Sequence, residues 1–229
     1  MAENIPFPVL PIPQQHKDLV RSVNAYVHGY MSSPDHDSSH DYHHILRVVS
    51  NANRLLALEK EQNPSQEYNV PALFLAALLH DVGDHKYAAP GEDVKNLVST
   101  ILQARGADAD LATRVQTVVK HVGYSNESKD PQSVINVLKK YPELAIVQDA
   151  DRLDAIGAVG IARCFSFSAA KLKEQPMSVA IEHFHEKLFL LAGMMKTGAG
   201  KELAERRKRV LEEFAAEFGE ESKLSFVVE

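Results

Sequence analysis

Cysteine is nearly missing from this chain. The single Cys164 among 229 residues forms no internal disulfide, excludes a cysteine-based zinc site and suits a reducing compartment. Long apolar runs are missing too: none approaches the ~18 residues of a membrane span. The first fifteen residues carry Glu3 and four prolines where a secretory leader needs a basic start and an apolar stretch. A cytoplasmic protein with no membrane partner is the expectation. Excess basic charge is absent as well. A net charge of -6 and a pI near 6.0 argue against a duplex nucleic-acid surface while leaving room for a local basic pocket for a small anion. Internal repeats and Pro/Gly/Ser linkers are lacking, so a Pro-rich arm over 1–15 and one domain over 16–229 are expected. A homodimer is compatible with such a chain. No stretch alternates apolar and polar residues between hairpin turns, which excludes an extensive sheet.

What is present is helical periodicity, in a chain of ordinary globular composition, 45% hydrophobic and 24% charged. Leu19, Val20, Val23, Val27, Tyr30 and Met31 define a first helix. Residues 32–43, rich in Ser, Asp and His, read as a loop. A second helix carries Ile45, Val48, Val49, Ala52, Leu55 and Leu56, with His44 in its first turn. Pro71 opens a third whose residues Ala72 to Leu79 are apolar on all sides and so belong in the core. Val94 to Leu102 and Leu111 to Val122 give two more. Residues 125–133 read as a loop, 134–138 as a short apolar piece, and Pro142 opens a long run to Ile161. Helices over Ile181 to Met195 and Leu203 to Phe218 close the chain. The fold class is all-α, a globular bundle of about eight helices.

The third helix runs directly into His80 and Asp81. A carboxylate at the end of an apolar run must be paired, hydrogen-bonded or metal-bound to offset its desolvation. Further ligands are available: His44 opens one helix, and the acidic triplet Asp149, Asp151 and Asp154 interrupts another that is otherwise apolar. Two imidazoles with carboxylates and no thiolate suit one divalent ion of the type Mn²⁺, Fe²⁺, Ni²⁺, Co²⁺ or Mg²⁺. Asp151 is the preferred partner from that triplet, with Asp149 and Asp154 open as alternatives. Thr197-Gly-Ala-Gly-Lys201 lacks the spacing of a phosphate loop and reads as a turn opening the last helix. Glu205-Arg-Arg-Lys-Arg209 reads as a charged helix face.

His44-Ile-Leu-Arg-Val48, His80-Asp81 and Asp149-Ala-Asp-Arg-Leu-Asp154, in that order, resemble the H…HD…D signature of the HD-domain metal-dependent phosphohydrolases. Within that superfamily the chain is similar to a small stand-alone group that includes nucleoside triphosphate pyrophosphohydrolases. The resemblance implies an all-α fold, metal ligands at His44, His80, Asp81 and Asp151, and hydrolysis of a nucleotide phosphoanhydride or phosphoester bond, with manganese the first choice of metal. Asp84, about one helical turn beyond Asp81, stands where some members carry a catalytic carboxylate and is assigned acid/base work. Arg47, Lys86, His85 and His121 are candidates for substrate contact, the two histidines also for a second metal. Two other readings stay open: an HD-fold non-haem iron oxygenase, and a non-catalytic nucleotide-sensing module.

Overall fold

The computed structural model describes residues 5–33, 39–83 and 95–226. In chain order its α-helices are α1 (Lys17–Met31), α2 (Tyr42–Gln62), α3 (Val70–Leu79), α4 (Leu97–Gln103), α5 (Ala109–Lys120), α6 (Tyr124–Lys129), α7 (Pro131–Lys140), α8 (Glu143–Asp154), α9 (Gly157–Lys171), α10 (Ser178–His183), α11 (Phe189–Leu191) and α12 (Gly198–Glu221). There is no strand among the described residues. The chain is all-α, as the periodicity requires.

The core is built around α3. Pro71 sits in its first turn and the Asn69 side chain accepts from Ala72 N, so the helix begins with its leading N–H groups accounted for. Every residue from Ala72 to Leu79 has no solvent exposure, and α1, α2, α5 and α8 pack around it. Each large side chain so buried contributes roughly 1.5–3 kcal/mol. At the N-terminal end of α3 the fully buried Glu143, first residue of α8, accepts from Asn69 N and from the Arg114 guanidinium of α5 at 2.9 and 3.0 Å. The same two helices, α3 and α8, thus start together at this clamp and run side by side. Ten residues of α3 rise about 15 Å, which carries His80 and the acidic end of α8 to the opposite end of the bundle.

There α2 enters in the reverse sense. It begins at Tyr42, two residues before the boundary expected from composition, because the Asp41 side chain caps it by accepting from His44 N at 2.9 Å. Asp41→Ala is expected to cost about 1 kcal/mol, read as a lowered urea midpoint at unchanged m-value.

Several runs expected to be continuous are broken. The run from Pro142 to Ile161 divides into α8 and α9, which are bent 70° at Gly157. Gly157 has φ +76°, and an added Cβ would meet the Arg207 side chain at 3.1 Å, so only glycine accepts both the backbone and the packing. No single described helix is long and apolar enough to cross a membrane. The polar region 125–133 is helical instead of a loop, covered by α6 and the start of α7. Asp130 accepts from Ser133 N, and Pro131 takes the first turn of α7. The segment after α10 passes through a π-helical turn, Phe184–Leu188, into α11. Thr197, from the phosphate-loop lookalike, caps α12 by accepting from Gly200 N. Val94 lies outside the described residues.

Candidate metal centre

Three helix ends meet at the far end of α3. His44 projects from the first turn of α2, His80 caps α3 at its C-terminus with Asp81 following, and Asp151 comes from α8. The two imidazoles approach with Nε2 atoms 3.1 Å apart. His44 Nε2 lies 3.2 Å from Asp81 Oδ2, and His80 Nε2 lies 3.4 Å from Asp81 Oδ1. Asp151 Oδ1 is 3.7 Å from both imidazole Nε2 atoms. Ligands about 2.1 Å from one ion stand ~3.0 Å apart at a right angle and ~3.4 Å apart at the tetrahedral angle. The separations among His44, His80 and Asp81 match those values, and Asp151 stands slightly farther out.

The hydrogen bonds behind the ligands decide which atoms face inward. Asp154 Oδ2 accepts from His44 Nδ1 at 2.7 Å, and the Ala77 carbonyl accepts from His80 Nδ1 at 2.9 Å. Both rings therefore carry the proton on Nδ1 and turn an Nε2 lone pair into the cluster. Two lone pairs and two carboxylates then converge with no donor between them among the described residues. Asp81 Oδ2 is buried and has no hydrogen-bond partner among the described residues. Such an arrangement is unfavourable by itself and is resolved by a cation at its centre. Burial lowers the His44 pKa, but the neighbouring Asp154 and Asp81 carboxylates outweigh that and leave it raised. Burial raises the Asp81 pKa, but the flanking imidazoles hold it well below the usual carboxylate range. The donor set, all nitrogen and oxygen, fits a divalent metal ion.

The cluster is open on one side. The imidazoles are 1% exposed, whereas Asp81 and Asp151 are 17% and 26% exposed. The His40 ring is 6.0 Å from that of His44 and 6.1 Å from that of Phe167.

The other two acids of the triplet have different duties. Asp149 accepts from Lys196 N, Thr197 N and Thr197 Oγ1 at 2.7–3.1 Å, holding the entry to α12. Gly200 is needed there, since a Cβ would fall 2.3 Å from Asp149 Oδ2. Asp154 accepts from His44, from Arg47 Nε at 2.8 Å and Nη2 at 3.1 Å, and from Arg163 Nη1 at 3.0 Å. Arg47, expected at phosphate oxygens, thus has its fork on Asp154. His121 is engaged away from the cluster, with Nδ1 on the Thr117 carbonyl at 2.7 Å and Nε2 on Ser133 Oγ at 3.0 Å. It joins α5 to α7. Asp84, His85 and Lys86 lie outside the described residues.

The HD domain family matches residues 41–156, the segment that holds all four converging side chains. The chain belongs to the HD domain family. It is 36% identical to the uncharacterised protein YpgQ of Bacillus subtilis over 186 residues, 79% of this chain and 83% of that one. YpgQ has been crystallised in complex with ADP, and that structure superposes with a TM-score of 0.67 at 30% identity, covering 89% of this chain and 97% of YpgQ. A Lactobacillus plantarum protein of known structure is similar at a TM-score of 0.71 and 29% identity, over 92% of this chain and 98% of its own. A Bacillus thuringiensis protein described as an HD-superfamily hydrolase gives 0.62 and 29%, over 91% and 98%.

Sequence reasoning alone did not reveal that Asp154 orients His44, nor that Arg163 supports Asp154. Asp154 has a visible signal, lying one helical turn from Asp151 on an apolar helix. Arg163 has none, because the 70° bend between α8 and α9 is what turns it back toward Asp154.

Proposed function

We propose that this HD-domain chain is a metal-dependent phosphohydrolase acting on nucleotides, with triphosphates cleaved to monophosphate and pyrophosphate as the sharper reading. The observation that carries it is the cluster of His44, His80 and Asp81 with Asp151 beside it, around an Asp81 Oδ2 that has no hydrogen-bond partner among the described residues, open to solvent on the carboxylate side. The ADP complex of YpgQ supports a nucleotide ligand.

His44, His80, Asp81 and Asp151 would hold one divalent ion, manganese by preference. When bound, it would lower the pKa of a water molecule and polarise a phosphoryl oxygen. Asp154 and the Ala77 carbonyl keep both imidazoles in the ligating tautomer. The two carboxylates offset the ion's charge and sit on the side from which a phosphate can approach. Arg47 and Arg163 surround Asp154, so the shell behind the ligands carries one more positive charge than negative, which favours an anionic substrate. Asp84 is assigned proton transfer, with Lys86 and His85 as its neighbours at the substrate.

The test is a panel of nucleoside mono-, di- and triphosphates with manganese-loaded protein, products separated by anion exchange. Pyrophosphate release from triphosphates is expected, with a fall of roughly 10²–10⁴-fold in Asp84→Asn. An untouched panel under Mn²⁺, Co²⁺, Ni²⁺, Fe²⁺ and Mg²⁺ alike would overturn the reading.

A further inference from the structure

Behind Asp154, on the side away from the metal ligands, α2, the start of α9 and α12 enclose a pocket of about 400 Å³. That volume is within the range of small-molecule sites, ~300–1,000 Å³. Its lining is unusual for a chain of net charge -6. Among the described residues four arginines line it, Arg47 and Arg54 from α2 and Arg206 and Arg207 from α12, and Asp154 is the one acid in that lining. The Asp154 carboxylate is already occupied by His44, Arg47 and Arg163.

The remaining cations are poorly compensated. Arg207 donates to the Leu153 carbonyl and to Asn51 Oδ1, both neutral acceptors. Arg54 and Arg206 make no ion pair or hydrogen bond among the described residues. Burial and then the repulsion of Arg54 and Arg206 lower the Arg207 pKa, against the pull of Asp154. The backbone at the start of α9, Gly157 to Val159, completes the wall, and that helix has no side chain capping its N-terminus. Its N–H groups add partial positive charge to a wall that already lacks anions. Guanidinium forks in a concave site are suited to bidentate binding of phosphate oxygens.

We propose that this pocket is a second ligand site, separate from the metal centre, that binds a compact anion bearing two or more phosphate groups. Inorganic pyrophosphate and the phosphate tail of a nucleoside diphosphate share that chemistry. The site touches the metal centre through one residue: Arg47 lines the pocket and holds Asp154, which holds His44. An anion drawing on the Arg47 guanidinium therefore acts on the same carboxylate that orients a metal ligand.

The experiment is calorimetric titration of the full chain with pyrophosphate and, separately, with ADP, in wild type, in Arg54→Ala/Arg206→Ala and in His80→Asn. Arg54 and Arg206 are exposed and unpaired, so the double variant keeps its fold, checked by its melting temperature. Pyrophosphate binding that weakens at least tenfold in the arginine variant and persists in His80→Asn is the expected result. Tighter binding of ADP than of pyrophosphate would assign the natural ligand to nucleotides, and equal binding to the free polyphosphate. Binding abolished in His80→Asn and unchanged in the arginine variant would overturn the second site. So would the absence of pyrophosphate binding to wild type. Neither result bears on turnover at the metal centre, which the nucleotide panel tests independently.

Discussion

His80→Ala is expected to lose the metal and, with it, pyrophosphate release, while remaining folded. His80 supplies one of the two lone pairs that point into the cluster, and its Nδ1–H is spent on the Ala77 carbonyl. Disturbing only the groups that orient a ligand commonly costs 10–100-fold in metal affinity, so deleting the ligand itself should exceed that. The stability readout has the opposite sense to that of an ordinary core substitution. Without metal, the wild-type cluster forces lone pairs and carboxylates together, and losing one acceptor removes part of that repulsion. With manganese at 100 times its dissociation constant, wild type gains ~2.7 kcal/mol, a melting shift on the order of 5–10 °C for a chain of this size. The variant should show no shift. A variant that still binds manganese with wild-type affinity, or a wild type whose melting is indifferent to divalent ions, would remove the metal centre from consideration.

How much of this was legible in the sequence depends on the type of signal. Ala72 to Leu79 declare a buried helix, because a segment with no polar face has nowhere else to go. Their delivery of His80 and Asp81 to the end of that helix follows from its length alone. The boundaries were less legible. Asp41 and Asp130 are capping residues by type, and reading them as such, instead of as loop composition, places the starts of α2 and α7 correctly. The break at Gly157 was hidden because apolar residues continue on both sides of it, and only the positive φ and the Arg207 side chain make glycine necessary there. Among the three acids of α8, composition could not choose. The fold separates them: α12 begins on Asp149, α2 and α9 bring cations to Asp154, and Asp151 Oδ1 lies 3.7 Å from both imidazoles. The arginine pocket was illegible for the same reason. Arg54 and Arg206 are ordinary surface residues in one dimension, and the packing of α12 against α2 gathers them.

Asp154→Asn should damage the site through both of the interactions that converge on that carboxylate. As a carboxylate it can only accept, which fixes the His44 proton on Nδ1. An amide can instead donate to Nδ1 and move the proton to Nε2, closing the ligating position. Metal affinity is expected to fall 10–100-fold. The same substitution removes the counter-charge of Arg47 and Arg163. Removing one partner of a buried ion pair costs ~3–5 kcal/mol, and because the Arg47 side chain is 36% exposed the lower end, about 3 kcal/mol, is expected. Manganese titration and urea unfolding of metal-free protein separate the two effects. The unfolding measurement is the sharper one, since it depends on the guanidiniums and not on any ion. Unchanged urea stability with weakened manganese binding would restrict Asp154 to orienting His44. Unchanged manganese binding with lowered stability would make it a structural anchor only, and would break the link by which the arginine pocket reaches the metal centre.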